Sequence, residues 1–235
     1  SLFVRGNIVL SLTGEAERAW AEKLLEVFSE PEEKEEEVIE YQTRKKSDEG
    51  MIIPAPICFV ASGTNLECYQ CSYSGAMKVA AHILTYDYLW EEVRVKGGAY
   101  GCKMSVEENG NISFTTYRDP NPLNSLNCFR KAGEALARII QEESLDKYII
   151  STMNEVDPFV NVRVKGENAA ENYLCRFTEQ KQLKIRSEIL NTTKEDLEAV
   201  SEILKRAGKE MTSCIVGPER ALEECREHLD KIEVL

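Results

Sequence analysis

An α+β fold, a mainly antiparallel sheet with helices packed on one face, is expected on three grounds. The chain has 235 residues, 43% of them hydrophobic, which is ample to bury a core. Helix-like and strand-like stretches are mixed along it. Its clearest strand pair is an antiparallel hairpin: Tyr100, Cys102, Met104 and Val106 alternate with polar residues, as do Ile112, Phe114 and Thr116.

Taken in order, Ile8-Val9-Leu10-Ser11-Leu12 reads as a short strand. Thr13-Gly14 then leads into a helix carrying Trp20, Leu24, Val27 and Phe28. Residues 29–50 hold Glu30, Glu32, Glu33, Glu35, Glu36, Glu37 and Glu40, then Arg44-Lys45-Lys46. Such a run is read as a charged loop or linker; an acidic docking strip at 30–40 is the sharper alternative. Met51 to Val60 is a strand interrupted by Pro54 and Pro56, so part of it lies at an edge or outside the sheet. A long helix follows from about Gly75 to Val95. Val79, Ile83, Tyr86, Trp90 and Val93 form one stripe and Met77, Ala81, Leu84 and Tyr88 a second, so the helix should be largely buried. His82 falls on its polar strip and is expected at the surface. Asn109-Gly110 predicts a type I′ hairpin turn.

In Asp119-Pro120-Asn121-Pro122, Asn121 suits an N-cap and Pro122 the first helical position. The helix behind them places Leu126, Phe129, Gly133, Leu136 and Ile140 on one face. Shorter helices are expected near 145–154 and 166–182. Thr192-x-x-Glu195 is a capping box for a helix with Leu197, Val200 and Leu204, closed by Gly208. Met211 to Val216 is the final strand, stopped by Gly217-Pro218, and 219–230 the last helix. The whole, 1–235, is read as a single domain.

Composition narrows the function classes. Lys and Arg number 29 against 41 Asp and Glu, a formal charge of −12, which argues against nucleic acid as a partner. No apolar run reaches the roughly 18–20 residues that span a membrane, so no membrane is expected either. Ser1-Leu2-Phe3-Val4-Arg5 lacks the features of a signal peptide and starts abruptly, as an excised piece would. The 8 cysteines include one C-x-x-C, Cys68-Tyr69-Gln70-Cys71, with no second pair or nearby His to complete a zinc set. They are read as small hydrophobes in a reducing interior, cytoplasmic or mitochondrial matrix, rather than in a secreted protein. A redox or metal-binding module on Cys68 and Cys71 is a weaker reading.

The stretch Tyr88 to Tyr117 is where chemistry could reside. A helix runs out at Val93-Arg94-Val95-Lys96, Gly97-Gly98 permits a tight reversal, and Tyr100 opens the hairpin. Arg94 and Lys96 could simply favour the negative helix end, with Tyr100 in the core. Alternatively, guanidinium, phenol and free backbone N–H groups make a site for an anion or carbonyl.

The run from Tyr88 through Arg94-Val95-Lys96-Gly97-Gly98-Ala99-Tyr100-Gly101, followed by Tyr117-Arg118-Asp119-Pro120-Asn121, resembles the C-terminal part of presequence protease. That enzyme is a pitrilysin-type zinc metallopeptidase, an inverzincin with an H-x-x-E-H motif. The resemblance implies a pitrilysin-type domain, one of four homologous α+β domains in two halves that close around a peptide. It also implies that zinc is bound in the first domain. The last domain would supply an arginine and a tyrosine, here Arg94 and Tyr100, to catalysis and substrate binding, with Gly97 and Gly98 shaping the substrate-binding turn. Only two histidines are present, His82 and His228, and neither has a partner at i±4, so no metal residues are assigned. The expectation is the C-terminal, non-zinc-binding domain of a zinc metalloendopeptidase that degrades unstructured peptides. Its partners would be the peptide substrate and the zinc-bearing N-terminal half of the same polypeptide. A non-catalytic pitrilysin-like scaffold or peptide-binding subunit is the alternative.

Overall fold

In the computed structural model, which describes residues 4–15, 17–30 and 45–235, one six-stranded sheet carries the fold. Its strands are β1 (Glu49–Ile52), β2 (Phe59–Asn65), β3 (Gly101–Val106), β4 (Asn111–Tyr117), β5 (Thr212–Gly217) and β6 (Lys231–Val234), in the order β3-β4-β2-β5-β1-β6. The pairs β3/β4, β4/β2 and β2/β5 are antiparallel, while β1 runs parallel to both β5 and β6. Nine α-helices occur among the described residues: α1 (Arg18–Leu25), α2 (Gly75–Ile83), α3 (Pro122–Arg130), α4 (Ala132–Glu142), α5 (Asp146–Val156), α6 (Val162–Leu174), α7 (Glu179–Leu190), α8 (Lys194–Glu210) and α9 (Glu219–Glu224). None is long and apolar enough to cross a membrane.

The described residues group into two units, Ser1–Arg44 with Pro158–Gln182, and Lys45–Asp157 with Leu183–Leu235. In the smaller unit, residues 8–12 form no strand and lie mostly exposed. Among the described residues there, the one bridge is Val4 to Ser29, too little to hold a ladder. Helix α1 forms, yet Trp20, Leu24 and Val27 are exposed and only Ala21 is buried. Residues 31–44, and with them nearly all of the acidic 30–40 run, lie outside the described residues. The far end of the expected charged segment is not loop: Glu49 and Gly50 open β1.

The larger unit holds the sheet. Alternation places Val60, Ser62, Met104, Val106, Ile112, Phe114, Thr116, Ser213 and Ile215 on one buried face. The polar groups there are satisfied: Ser62 Oγ lies 2.8 Å from Ser213 Oγ, and Val60 N–H donates to Thr116 Oγ1 at 3.2 Å. Helices cover this face, with the Phe114 and Phe129 rings stacked at 5.2 Å. The hairpin turn is not type I′. Only Gly110 has positive φ (+87°), and Gly110 N–H donates to Glu107 C=O at 3.0 Å, a turn followed by a left-handed residue.

Helix α2 continues past Ile83 with a wider turn, Leu84–Val95, in which Lys96 N–H donates to Glu91 C=O five residues back at 3.0 Å. Its buried residues, Leu84, Tyr88, Leu89 and Val93, therefore recur every four to five positions. The 3.6-residue stripe expected from the sequence fails here: Tyr86 and Trp90 turn outward, 49% and 41% exposed. His82 departs from expectation in the other direction. Its side chain is only 12% exposed, with Nδ1 3.0 Å from Glu155 Oε1 and its ring 4.6 Å from Tyr86.

Asn121 caps α3 by accepting from Asn124 N–H, with Pro122 as its first residue. The helix then breaks at Lys131, and α4 continues the buried face through Gly133, Leu136 and Ile140. The capping box of α8 lies one residue later than expected, at Thr193 and Asp196. Thr192 instead donates its hydroxyl to Glu188 C=O at 2.9 Å, closing α7. Gly208 sits inside α8 rather than capping it. Residues beyond Gly217 form α9, a short turn and β6, so β5 is not the last strand.

Two glycines let α8 approach its neighbours backbone to backbone. A Cβ at Gly133 would fall 2.5 Å from the Lys205 nitrogen, and one at Gly208 would strike the Arg130 carbonyl. A helical Gly→Ala change ordinarily gains about 1 kcal/mol, so the sign of its effect reports this contact. Gly133→Ala is expected to lower stability by about 1–3 kcal/mol in urea unfolding. An unchanged or raised midpoint would refute the close approach.

Candidate functional site

The corner between the wide-turn helix and the hairpin is set by local chemistry. Gly98 N–H donates to Arg94 C=O (3.0 Å) and Ala99 N–H to Val93 C=O (3.1 Å), a nested pair that ends the helix. Gly98 has φ +83°, and a Cβ at Gly97 would meet the Val93 carbonyl at 2.5 Å, so both positions demand glycine. Tyr100 N–H then donates to the Tyr117 carbonyl at 3.1 Å, which starts the hairpin, while Arg118 takes a left-handed φ of 51°.

The loop that follows is tied down by Asp119, which is fully buried. Its carboxylate accepts from Asn121 N–H (2.8 Å) and from the Ser125 hydroxyl (2.5 Å). Its main chain exchanges two hydrogen bonds with Cys58, at 2.8 and 2.9 Å. Asn124 Nδ2 donates to the Glu92 carbonyl at 3.1 Å, which joins this loop to the helix end.

On this frame the structure brings Arg94 and Tyr100 together. The Arg94 guanidinium carbon lies 3.9 Å over the Trp90 ring and 5.9 Å from the centre of the Tyr100 ring. Among the described residues Arg94 forms no ion pair or hydrogen bond, although it is half-buried. None of its donors is thus spent on a described residue. Lys96 differs: its ammonium sits 2.9 Å from Glu92 and 3.5 Å from Glu91. Tyr100 is not a core residue. It is 65% exposed, edge-on to the Tyr117 ring at 5.9 Å. No partner occurs for its hydroxyl among the described residues.

A groove of about 430 Å³ runs beside this pair, between the helix and β3, lined by Lys78, His82, Tyr86, Trp90, Arg94 and Cys102 among others. Burial pushes the Cys102 thiol up to about 11; the Arg94 guanidinium opposes that shift and Asp119 adds to it. The thiol is therefore neutral at pH 7 and a poor nucleophile.

Among the described residues no site fits a zinc ion. No cluster of three or more His, Cys, Asp or Glu side chains that could hold a metal occurs among the described residues. His82 is taken by Glu155, and His228 Nδ1 lies 3.2 Å from Arg130 Nη1. Cys68 and Cys71 are free thiols, exposed and half-exposed. Trp90 is the site residue that sequence reasoning missed. The signal was present as an aromatic four residues before Arg94, but a 3.6-residue period assigns it to the core.

Residues 48–217 match the family described as the PreP C-terminal domain. Protein HypA of Clostridium perfringens is 31% identical over 99% of this chain, which spans 24% of that protein. Presequence protease 1, chloroplastic/mitochondrial, of Arabidopsis thaliana is 28% identical over 67% of this chain, which spans 15% of it. The fold is similar to that of a peptidase M16 inactive domain from Pseudomonas fluorescens, with a TM-score of 0.61, 17% identity, and coverage of 92% of this chain and 54% of that one. Pitrilysin shares the fold at a TM-score of 0.51 and 13% identity, over 73% of this chain and 19% of its own. The chain belongs to the PreP C-terminal domain family.

Proposed function

We propose that this chain serves a zinc metalloendopeptidase as its non-zinc-binding C-terminal domain, presenting Arg94 and Tyr100 to an unstructured peptide held against a zinc-bearing domain of the same polypeptide. The observation that carries the reading is the half-buried Arg94 guanidinium, stacked on Trp90 and, among the described residues, without a carboxylate, beside an exposed phenol. In a chain with 41 Asp and Glu, a partly desolvated cation with every donor unspent is costly unless a ligand completes it.

The two side chains would divide the work. The planar guanidinium offers paired donors to a peptide carbonyl or carboxylate and so fixes the substrate's register. The phenol donates to the carbonyl oxygen as that oxygen gains negative charge, an interaction stronger in the transition state than in the bound peptide. Gly97 and Gly98 shape the turn that sets Tyr100 beside Arg94, which lines the groove. Zinc, bound outside this chain, would supply the activated water.

Arg94→Ala and Tyr100→Phe in the whole protein are each expected to slow peptide cleavage by about 10²–10³, with zinc content unchanged. Wild-type rates in both would overturn the reading. Trp90 positions Arg94, so Trp90→Leu should cut kcat/KM by about twofold to thirtyfold, the range a cation–π contact supports. Trp90→Phe should restore most of it; equal loss in both would remove the stacking role.

A further inference from the structure

The groove has a second wall whose chemistry is unused. Strand β3 is the edge of the sheet, and its ladder with β4 leaves alternate residues facing outward. Glu107 N–H donates to Asn111 C=O (2.9 Å), and Val106 is aligned with Ile112. Gly101, Lys103 and Ser105 therefore bond to β4. The N–H and C=O groups of Cys102, Met104 and Val106 point away from it.

Met104 is already occupied, which bears out that parity. Its N–H donates to Thr85 Oγ1 at 3.1 Å, and the Thr85 hydroxyl reaches back to its C=O at 3.5 Å. A continuous strand added to β3 would have to displace that contact. What remains beside Arg94 is the outward pair of Cys102, one donor and one acceptor lining the same groove as the guanidinium. Arg94 and Cys102 both line the groove, on its helix wall and its strand wall respectively.

We propose that the main chain of Cys102 is a peptide-binding element, pairing its outward N–H and C=O with one residue of an extended peptide that Arg94 holds. This rests on the reading that a peptide occupies the groove. The recognition uses backbone only, so it is indifferent to side chains yet excludes proline or any N-alkylated residue at that position. The Thr85 clasp limits it to a single residue and blocks edge-to-edge association along β3.

The test is amide exchange by mass spectrometry on the intact, chelator-treated protein with oxidised insulin B chain, an unstructured peptide, as probe. Binding is monitored independently by the fluorescence anisotropy of a labelled sample. In segment 100–106 the amides bonded to β4 should exchange slowly even without peptide. Peptide should add protection at about one amide, Cys102, slowing it at least about tenfold. Binding without any change in this segment overturns the proposal and leaves the function of Arg94 and Tyr100 standing. Protection gained at Cys102, Met104 and Val106 together overturns it in favour of full strand addition. Absence of binding, with wild-type cleavage in Arg94→Ala and Tyr100→Phe, removes the underlying reading instead. As a second arm, Cys102→Pro deletes the outward N–H at an edge position that tolerates proline. It should lower kcat/KM by about twofold to tenfold, the worth of one hydrogen bond. N-methylating the paired peptide residue removes the other bond, the one donated to the Cys102 C=O that proline keeps, so it should lower kcat/KM by a similar factor in both the wild type and the variant; an unchanged rate on the N-methylated peptide counts against the pairing.

Discussion

Over Leu84–Val95 one helix winds more widely than an α-helix, with Lys96 N–H reaching five residues back to Glu91 rather than four, and the geometry of the candidate site depends on that change of step. A wider turn keeps Leu84, Tyr88, Leu89 and Val93 inward while carrying Tyr86 and Trp90 out of the core. Trp90 then lies under the Arg94 guanidinium, and Arg94 reaches the groove instead of the helix end. Wide turns pack less favourably than α-helical ones, so a long run of them needs support from outside. Tyr88 gives part of it, donating its hydroxyl to the Cys128 carbonyl at 3.2 Å. Thr85 gives another part through Met104 on β3.

Asp119 is the second fixed point. One buried carboxylate satisfies the start of α3 through Asn121 and Ser125, and its main chain clasps Cys58 just before β2. The loop so held places Pro120 against Gly98 and Asn124 against the helix end. Removing the carboxylate would leave buried donors unpaired, a cost of about 1–3 kcal/mol for each. The hairpin, the α3 helix and the glycine turn are thus coupled through one side chain, and the position of Tyr100 follows from all three.

Much of this was legible locally. Asn121-Pro122 announced its cap, the alternation of 101–117 announced the hairpin, and Lys96-Gly97-Gly98-Ala99-Tyr100 announced a reversal with a cation and a phenol on its flanks. Errors came where two local solutions compete. Thr192 and Thr193 can each cap a helix, and Thr192 was drawn back to Glu188. Asn109-Gly110 can form two hairpin turns, and the one needing positive φ only at glycine prevailed. The run at 8–12 has strand propensity, but no ladder forms there among the described residues.

Local chemistry, acting within a few residues, sufficed to settle the Asn121 cap, the Gly97-Gly98 turn, the hairpin alternation and the Arg94–Tyr100 spacing, because each is written in neighbouring side chains and backbone bonds. Tertiary structure alone decided the sheet order, the parallel pairing of β1 with β5 and β6, and the existence of β6. Glu49 finds its partners at Cys214 and Lys231, and no local signal encodes a pairing across such separations. It also decided that Trp90 leaves the core for Arg94. The period of a helix follows from what packs against each of its faces, and a single strand of sequence carries no record of those neighbours.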